Sequence, residues 1–178
     1  MSTTQVLEQI VPAGTWNADP DHSQVDFSVR HMKISTIRGT FPEVTATLTG
    51  GESPALAGSI EIASVTTRDE TRDGHLLSPD FFDAERHPQA SFVATLVEPD
   101  RVVGEFTLKG VTKEIDLSAS FSGPDTDPWG NERLGLELEG EIDRNDYGVS
   151  WNAPLPGGGF LVDDVVKLYG SFSFVKAA

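Results

Sequence analysis

The stretch 111-VTKEIDLSASF-121 decides the fold. Val111, Ile115, Leu117, Ala119 and Phe121 fall on one side of a period of two. Thr112, Glu114, Asp116, Ser118 and Ser120 fall on the other. That is a strand with one dry face and one wet face. The next run repeats the pattern, with Leu134, Leu136, Leu138 and Ile142 opposed to Glu137, Glu139 and Glu141. Three carboxylates on one strand face read as a solvated, edge-protecting stripe rather than as acid/base catalysts.

Outward from these two runs, six more segments alternate: 22–31, 44–49, 56–66, 92–97, 102–108 and 166–174. Gly50-Gly51, Pro99-Asp100, Lys109-Gly110 and Gly123-Pro124 supply the turns between them. Eight half-apolar strands at regular spacing predict an all-β sandwich or barrel. Large rings crowd the dry faces, with Gly104, Gly140 and Gly170 in the same registers. A barrel of this size is either filled by its side chains or keeps room for one small ligand. The glycines point to a lumen, and periodicity alone leaves the two outcomes even. Only residues 69–85 break the pattern, as a short helical insertion with Ser78-Pro79 as a break or the start of a new helix. Residues 1–14 read as an N-terminal arm, and 15–178 as one barrel domain.

The 178 residues carry 13 Lys+Arg against 28 Asp+Glu, a net charge of -15. That charge repels nucleic-acid backbones and anionic membrane surfaces. No run of 18 apolar residues exists, so no stable membrane insertion is expected. There is no cysteine, which removes disulfides, thiolate metal sites and cysteine nucleophiles. The start lacks the basic and apolar regions of a signal peptide, and the expected compartment is the cytoplasm.

Motifs for chemistry are missing. No G-x-S-x-G occurs. Gly157-Gly158-Gly159 leads into Phe160, not into the Lys-Ser/Thr of a phosphate loop. Asp125-Thr126-Asp127 resembles the start of a calcium loop, but its twelfth position is Leu136. His22, His31, His75 and His87 lack ligand spacing. The expectation is therefore no catalytic residue, no metal and no cofactor. Two features stand apart. His31 shares the dry face of Phe27 and Val29, either as a satisfied buried histidine or as a group facing a ligand. Arg68, Arg72, His75, Arg86 and His87 gather within 20 residues among six acidic side chains. That cluster is either a local ion-pair network or a contact for a ligand headgroup.

The order of the segments carries a resemblance. DHSQVDFSVRHM at 21–32 is followed by Gly39-Thr40-Phe41, by R-D-x-H-L at 72–76, by L-x-G-V-T-K at 108–113 and by R-N-D-Y-G at 144–148. Over about 16–175 this is similar to the YceI-like, polyisoprenoid-binding family. The resemblance implies an extended lipocalin-like eight-stranded antiparallel barrel with a long apolar lumen. It implies binding, storage or transport of a polyisoprenoid (a prenyl lipid or quinone) without catalysis. On that reading Phe27, Val29, His31, Phe41, Phe81, Phe82, Phe92, Phe106, Phe121, Leu136, Leu138 and Phe172 line the ligand, and Arg72 and His75 meet its headgroup. The alternatives are an enzyme acting on a lipid-like substrate in the same cavity, or a stress-related interaction module with a filled core. A homodimer is expected if an edge or mouth is apolar.

Overall fold

The computed structural model describes residues 1–178 as ten strands and two helices. The strands are β1 (Gly14–Ala18), β2 (Gln24–His31), β3 (Ser35–Phe41), β4 (Val44–Gly50), β5 (Ala55–Glu61), β6 (Gln89–Glu98), β7 (Arg101–Leu108), β8 (Val111–Thr126), β9 (Glu132–Asp143) and β10 (Val162–Lys176). The helices are α1 (Thr3–Ile10) and α2 (Glu70–Leu77). Neither is long and apolar enough to cross a membrane. All strand pairings are antiparallel.

The order β1-β4-β5-β6-β7-β8-β9-β10 returns to β1, where Trp16 stands opposite Lys176. This is the closed eight-stranded barrel that the resemblance implies, and closure leaves the ring no free edge. Two strands were not foreseen. β1 is the closing strand. β3 forms a hairpin with β2, which continues along β10 where β1 stops. A 3-10 turn at Pro20–His22, capped by the Asp19 carboxylate on the Asp21 N–H, makes the step between β1 and β2. β3 extends the sheet beyond this ring, and backbone bonds between Thr40 and Thr66 tie it to the segment that follows β5.

The core has two parts. Trp16, Leu48, Leu134 and Phe174 are almost wholly buried at the base, with Leu7 and Val11 from the N-terminal segment packed among them. That segment is thus no loose arm. A capping box between Ser2 and Gln5 starts α1, and its apolar side plugs the barrel. Phe27, Phe41, Ile62, Phe81, Phe106 and Tyr147 form the second part towards the other end. Trp129, 82% exposed, projects from the β8–β9 turn at the base.

α2 starts on the Asp69 carboxylate, which accepts from Arg72 N. It stops at Ser78, since the next residue, Pro79, disfavours helical backbone before it. No second helix follows, and turns lead to Pro88. Lys109, in left-handed backbone at φ 50°, donates to the carbonyls of Pro79 and Gly148 and clamps this cap onto the barrel.

The expectation that glycines leave a lumen needs revision. A Cβ on Gly104 would stand 2.5 Å from Phe92 Cζ, and one on Gly140 2.5 Å from Leu117 Cδ2. A Cβ on Gly170 would stand 2.7 Å from Phe172 Cε2. The space that these glycines vacate is taken by neighbouring side chains lying flat on the wall.

Candidate functional site

Two interior chambers follow one another along the barrel. The deeper, of about 90 Å³, lies among Ala46, Leu56, Phe92, Leu117, Leu138 and Phe172. The upper, of about 110 Å³, lies among Phe27, Val29, Phe41, Phe81, Phe82 and Ile142. Val25, Ile60, Ala90, Phe106 and Leu168 face both. Seventeen of the 18 residues around the upper chamber are hydrophobic, so nothing there recognises polar chemistry except Arg144. Each volume holds several water-sized spheres, yet falls below the ~300 Å³ at which small-molecule sites begin. A long occupant must therefore displace rings, and Phe106 stands between the chambers.

A third hollow of about 330 Å³ forms the mouth. It shares Phe27, Val29, Leu76, Phe81 and Val162 with the upper chamber and adds Arg30, His31, Asp69, Arg72, His75 and Trp151. The rings of His75, Phe81 and Trp151 meet there at 4.8 to 5.4 Å between centroids. They close most of the passage with aromatic faces and edges.

The polar groups of the mouth are held differently from one another. Arg72 donates from Nε to Thr67 Oγ1 at 2.8 Å and from Nη2 to the Thr67 carbonyl at 2.8 Å. Asp73 in turn accepts from Thr67 N and Oγ1. No carboxylate pairs with Arg72, and its Nη1 makes no protein hydrogen bond. His75 Nε2 lies 2.8 Å from Asp80 Oδ2. His31, at the end of β2, is half-buried at the mouth rather than inside the lumen.

The alternating strands bring most of the sequence-derived residues together. Phe27, Val29, Phe41, Phe81, Phe82 and Phe106 line the upper chamber. Phe92, Leu138 and Phe172, with Phe106, line the deeper one. Two do not join them. Leu136 is 1% exposed in the packed base, and Phe121 packs against the same base. The inward face continues past the end of the cavity, so period alone does not separate lining from plug.

Arg144, Trp151, Ile62 and Leu168 enter the site unforeseen. Arg144 had a signal in the R-N-D-Y-G motif. Arg144 is 4% exposed, and its guanidinium donates to the carbonyls of Val149, Trp151, Val162 and Asp163 at 2.6 to 3.2 Å. It staples the segment 149–163, which forms one rim of the mouth, to the end of β9. Burial pushes its pKa below the usual arginine range, and Asp164, Asp143 and Asp163 oppose that shift. Burial likewise pushes the Tyr147 phenol up to about 12. No three His, Asp or Glu side chains converge to hold a metal ion.

The YceI-like domain model matches residues 16–174. A UPF0312 protein of Staphylococcus epidermidis is 32% identical over 164 residues, spanning 89% of this chain and 96% of its own. A UPF0312 protein of Staphylococcus aureus is 32% identical over 161 residues, spanning 88% and 94%. Among solved structures, the YCEI protein of Campylobacter jejuni superposes with a TM-score of 0.69 at 27% identity, covering 84% of this chain and 90% of its own. A polyisoprenoid binding domain from Saccharophagus degradans superposes with a TM-score of 0.69 at 13% identity, covering 93% and 99%, and shares the fold.

Proposed function

The chain belongs to the YceI-like family, and on that premise we propose that it binds a long apolar amphiphile of the polyisoprenoid type without transforming it. The observation that carries this is the pair of apolar chambers in line, plugged by α1 at the base and opening at a mouth with polar groups. The tail enters the chambers, where each buried methylene contributes ~0.8 kcal/mol before ordering costs. The headgroup stays at the mouth beside Arg72 and His75. Such binding reads length and shape, and it needs neither metal nor cofactor.

Arg72 gives the sharpest test. Its fork is fixed on Thr67 at one side and free at Nη1, an arrangement suited to an anionic oxygen. Arg72→Ala is expected to weaken a prenyl pyrophosphate about tenfold while leaving the matching prenyl alcohol unchanged, consistent with one lost charge-assisted hydrogen bond. Equal loss for both ligands would return Arg72 to a structural role. Failure of the unaltered protein to take up either ligand would remove the carrier reading itself.

A further inference from the structure

We propose that the β2–β3 turn and the neighbouring loop 154–161 dock the mouth onto a zwitterionic lipid bilayer, from which the apolar ligand is drawn. The transfer step rests on the function proposed above. The docking surface stands on its own observations.

The first is the exposure of large apolar side chains at one place. Ile34 is 77% exposed, Phe160 59% and Met32 41%. Met32 and Ile34 flank Lys33 in the turn, and Met32 N donates to the Leu161 carbonyl at 2.7 Å, which joins turn and loop. Lys33 Nζ lies over Gly159. His31 and Leu161, the residues that follow inward, line the mouth itself. The patch therefore rims the opening through which a ligand passes.

The second is the choice of residues in the turn. Met32 and Lys33 have φ of 55° and 58°, with the Ile34 N–H bonded to the His31 carbonyl. The loop is the three residues 32–34 between paired His31 and Ser35, and its two left-handed positions are ones where Asn and Gly are preferred. A long side chain at such a position is strained, and strain of this kind concentrates where function needs the side chain. Arg30 braces the turn, donating to Thr36 Oγ1 and the Lys33 carbonyl. The tip is thus held rigidly, with its apolar ends outward.

The third is charge. The Lys33 ammonium makes no ion pair or hydrogen bond within the chain. An unpaired ammonium between exposed apolar side chains suits the phosphate level of a membrane interface, with the side chains beyond it in the acyl region. Asp69 at the mouth and Asp163 and Asp164 beyond Val162 oppose an anionic surface, as does the net charge of -15. The chemistry fits neutral phosphatidylcholine-like headgroups.

The experiment uses the full chain, phosphatidylcholine vesicles and a fluorescent geranylgeraniol analogue. The Ile34→Asp/Phe160→Asp variant is expected to lose vesicle flotation. It is also expected to slow transfer from vesicles at least roughly tenfold, as loss of one or two inserted side chains requires. Its melting temperature and its affinity for the analogue delivered in solution should match the unaltered protein. Trp129→Ala, at the opposite pole, should change nothing. Unchanged flotation in the Asp variant overturns the docking proposal. So does a dimer in the unaltered protein that the variant dissociates while flotation persists, since the patch would then be a self-interface. If the unaltered protein fails to bind the analogue in solution, the carrier reading falls, and flotation on ligand-free vesicles still decides docking.

Discussion

At the scale of the residue, Arg144 shows how a charge can serve architecture. Four carbonyls from two chain segments converge on one planar fork. No carboxylate bonds it, so its stabilising value lies in satisfying backbone groups that burial would leave without partners. Arg144→Met is expected to cost about 3 kcal/mol or more in urea unfolding, because several carbonyls lose their donors at once. Arg144→Lys should recover less than half of that loss, since an ammonium cannot span the same fork. A full recovery by Lys would show that only the charge matters. Such a role was beyond reading in the sequence: the partners are main-chain atoms up to 19 residues away, and they carry no side-chain signature. Gly39 poses the opposite case. It lies under the Phe27 ring across the β2–β3 pair, where a Cβ would collide. Its presence blurs the apolar alternation of β3, which is why that strand escaped notice.

Elements are joined by a second set of polar ties, at the base. Arg133 on β9 donates from Nη1 to Asp19 Oδ2 at 2.9 Å and from Nε to Asp127 Oδ2 at 2.8 Å. It thereby links the step between β1 and β2 to the β8–β9 turn. The Arg133 guanidinium is the main cause that lowers the Asp19 carboxyl to about 2, helped by the Asp21 N–H and His22. Arg133 also heads the causes that hold Asp127 well below the carboxylate range. A carboxyl with a depressed folded pKa contributes stability that is present above its unfolded value, ~3.9, and lost as pH falls through the folded one. The Arg133→Met variant should therefore be less stable than the unaltered protein at pH 6, and the difference should shrink between pH 4 and pH 2. A difference that stays constant across that window would assign the loss to packing. α1 and β1 tell a related story about legibility. α1 has eight residues and β1 five, with a single large inward ring at Trp16. Elements so short show too few periods for a pattern to register, and their place is set by the cavity end they fill.

For the whole molecule, the eight alternations were enough to give an all-β sandwich or barrel, because each repeat of the pattern buries one face and wets the other; the choice of a barrel came from the family resemblance, and its closing strand β1 was not among the eight. The strand-borne lining rings Phe27, Phe92, Phe106 and Phe172 were legible for the same reason. The boundary between chamber and plug was not, since it depends on which rings meet across the axis. Phe106 sits between the two chambers, facing both and meeting Tyr147 edge-on at 5.5 Å. Phe106→Trp should lower uptake of a long prenol at least roughly fivefold while shifting stability by no more than ~1–3 kcal/mol, the usual cost of overfilling. Undiminished uptake, measured by extraction and mass spectrometry, would show that the occupant bypasses this junction. One last property follows from how the ring closes. β1 borders β4 on one side and, on the other, residues 174–176 at the far end of the chain. During synthesis β1 emerges with one flank bare and waits until residues 174–176 are made before its second neighbour exists. Closure is thus a late event in the life of each molecule, dominated by contacts of long sequence separation and correspondingly slow. Until it happens, β1 offers the nascent chain's open seam to whatever strand arrives first.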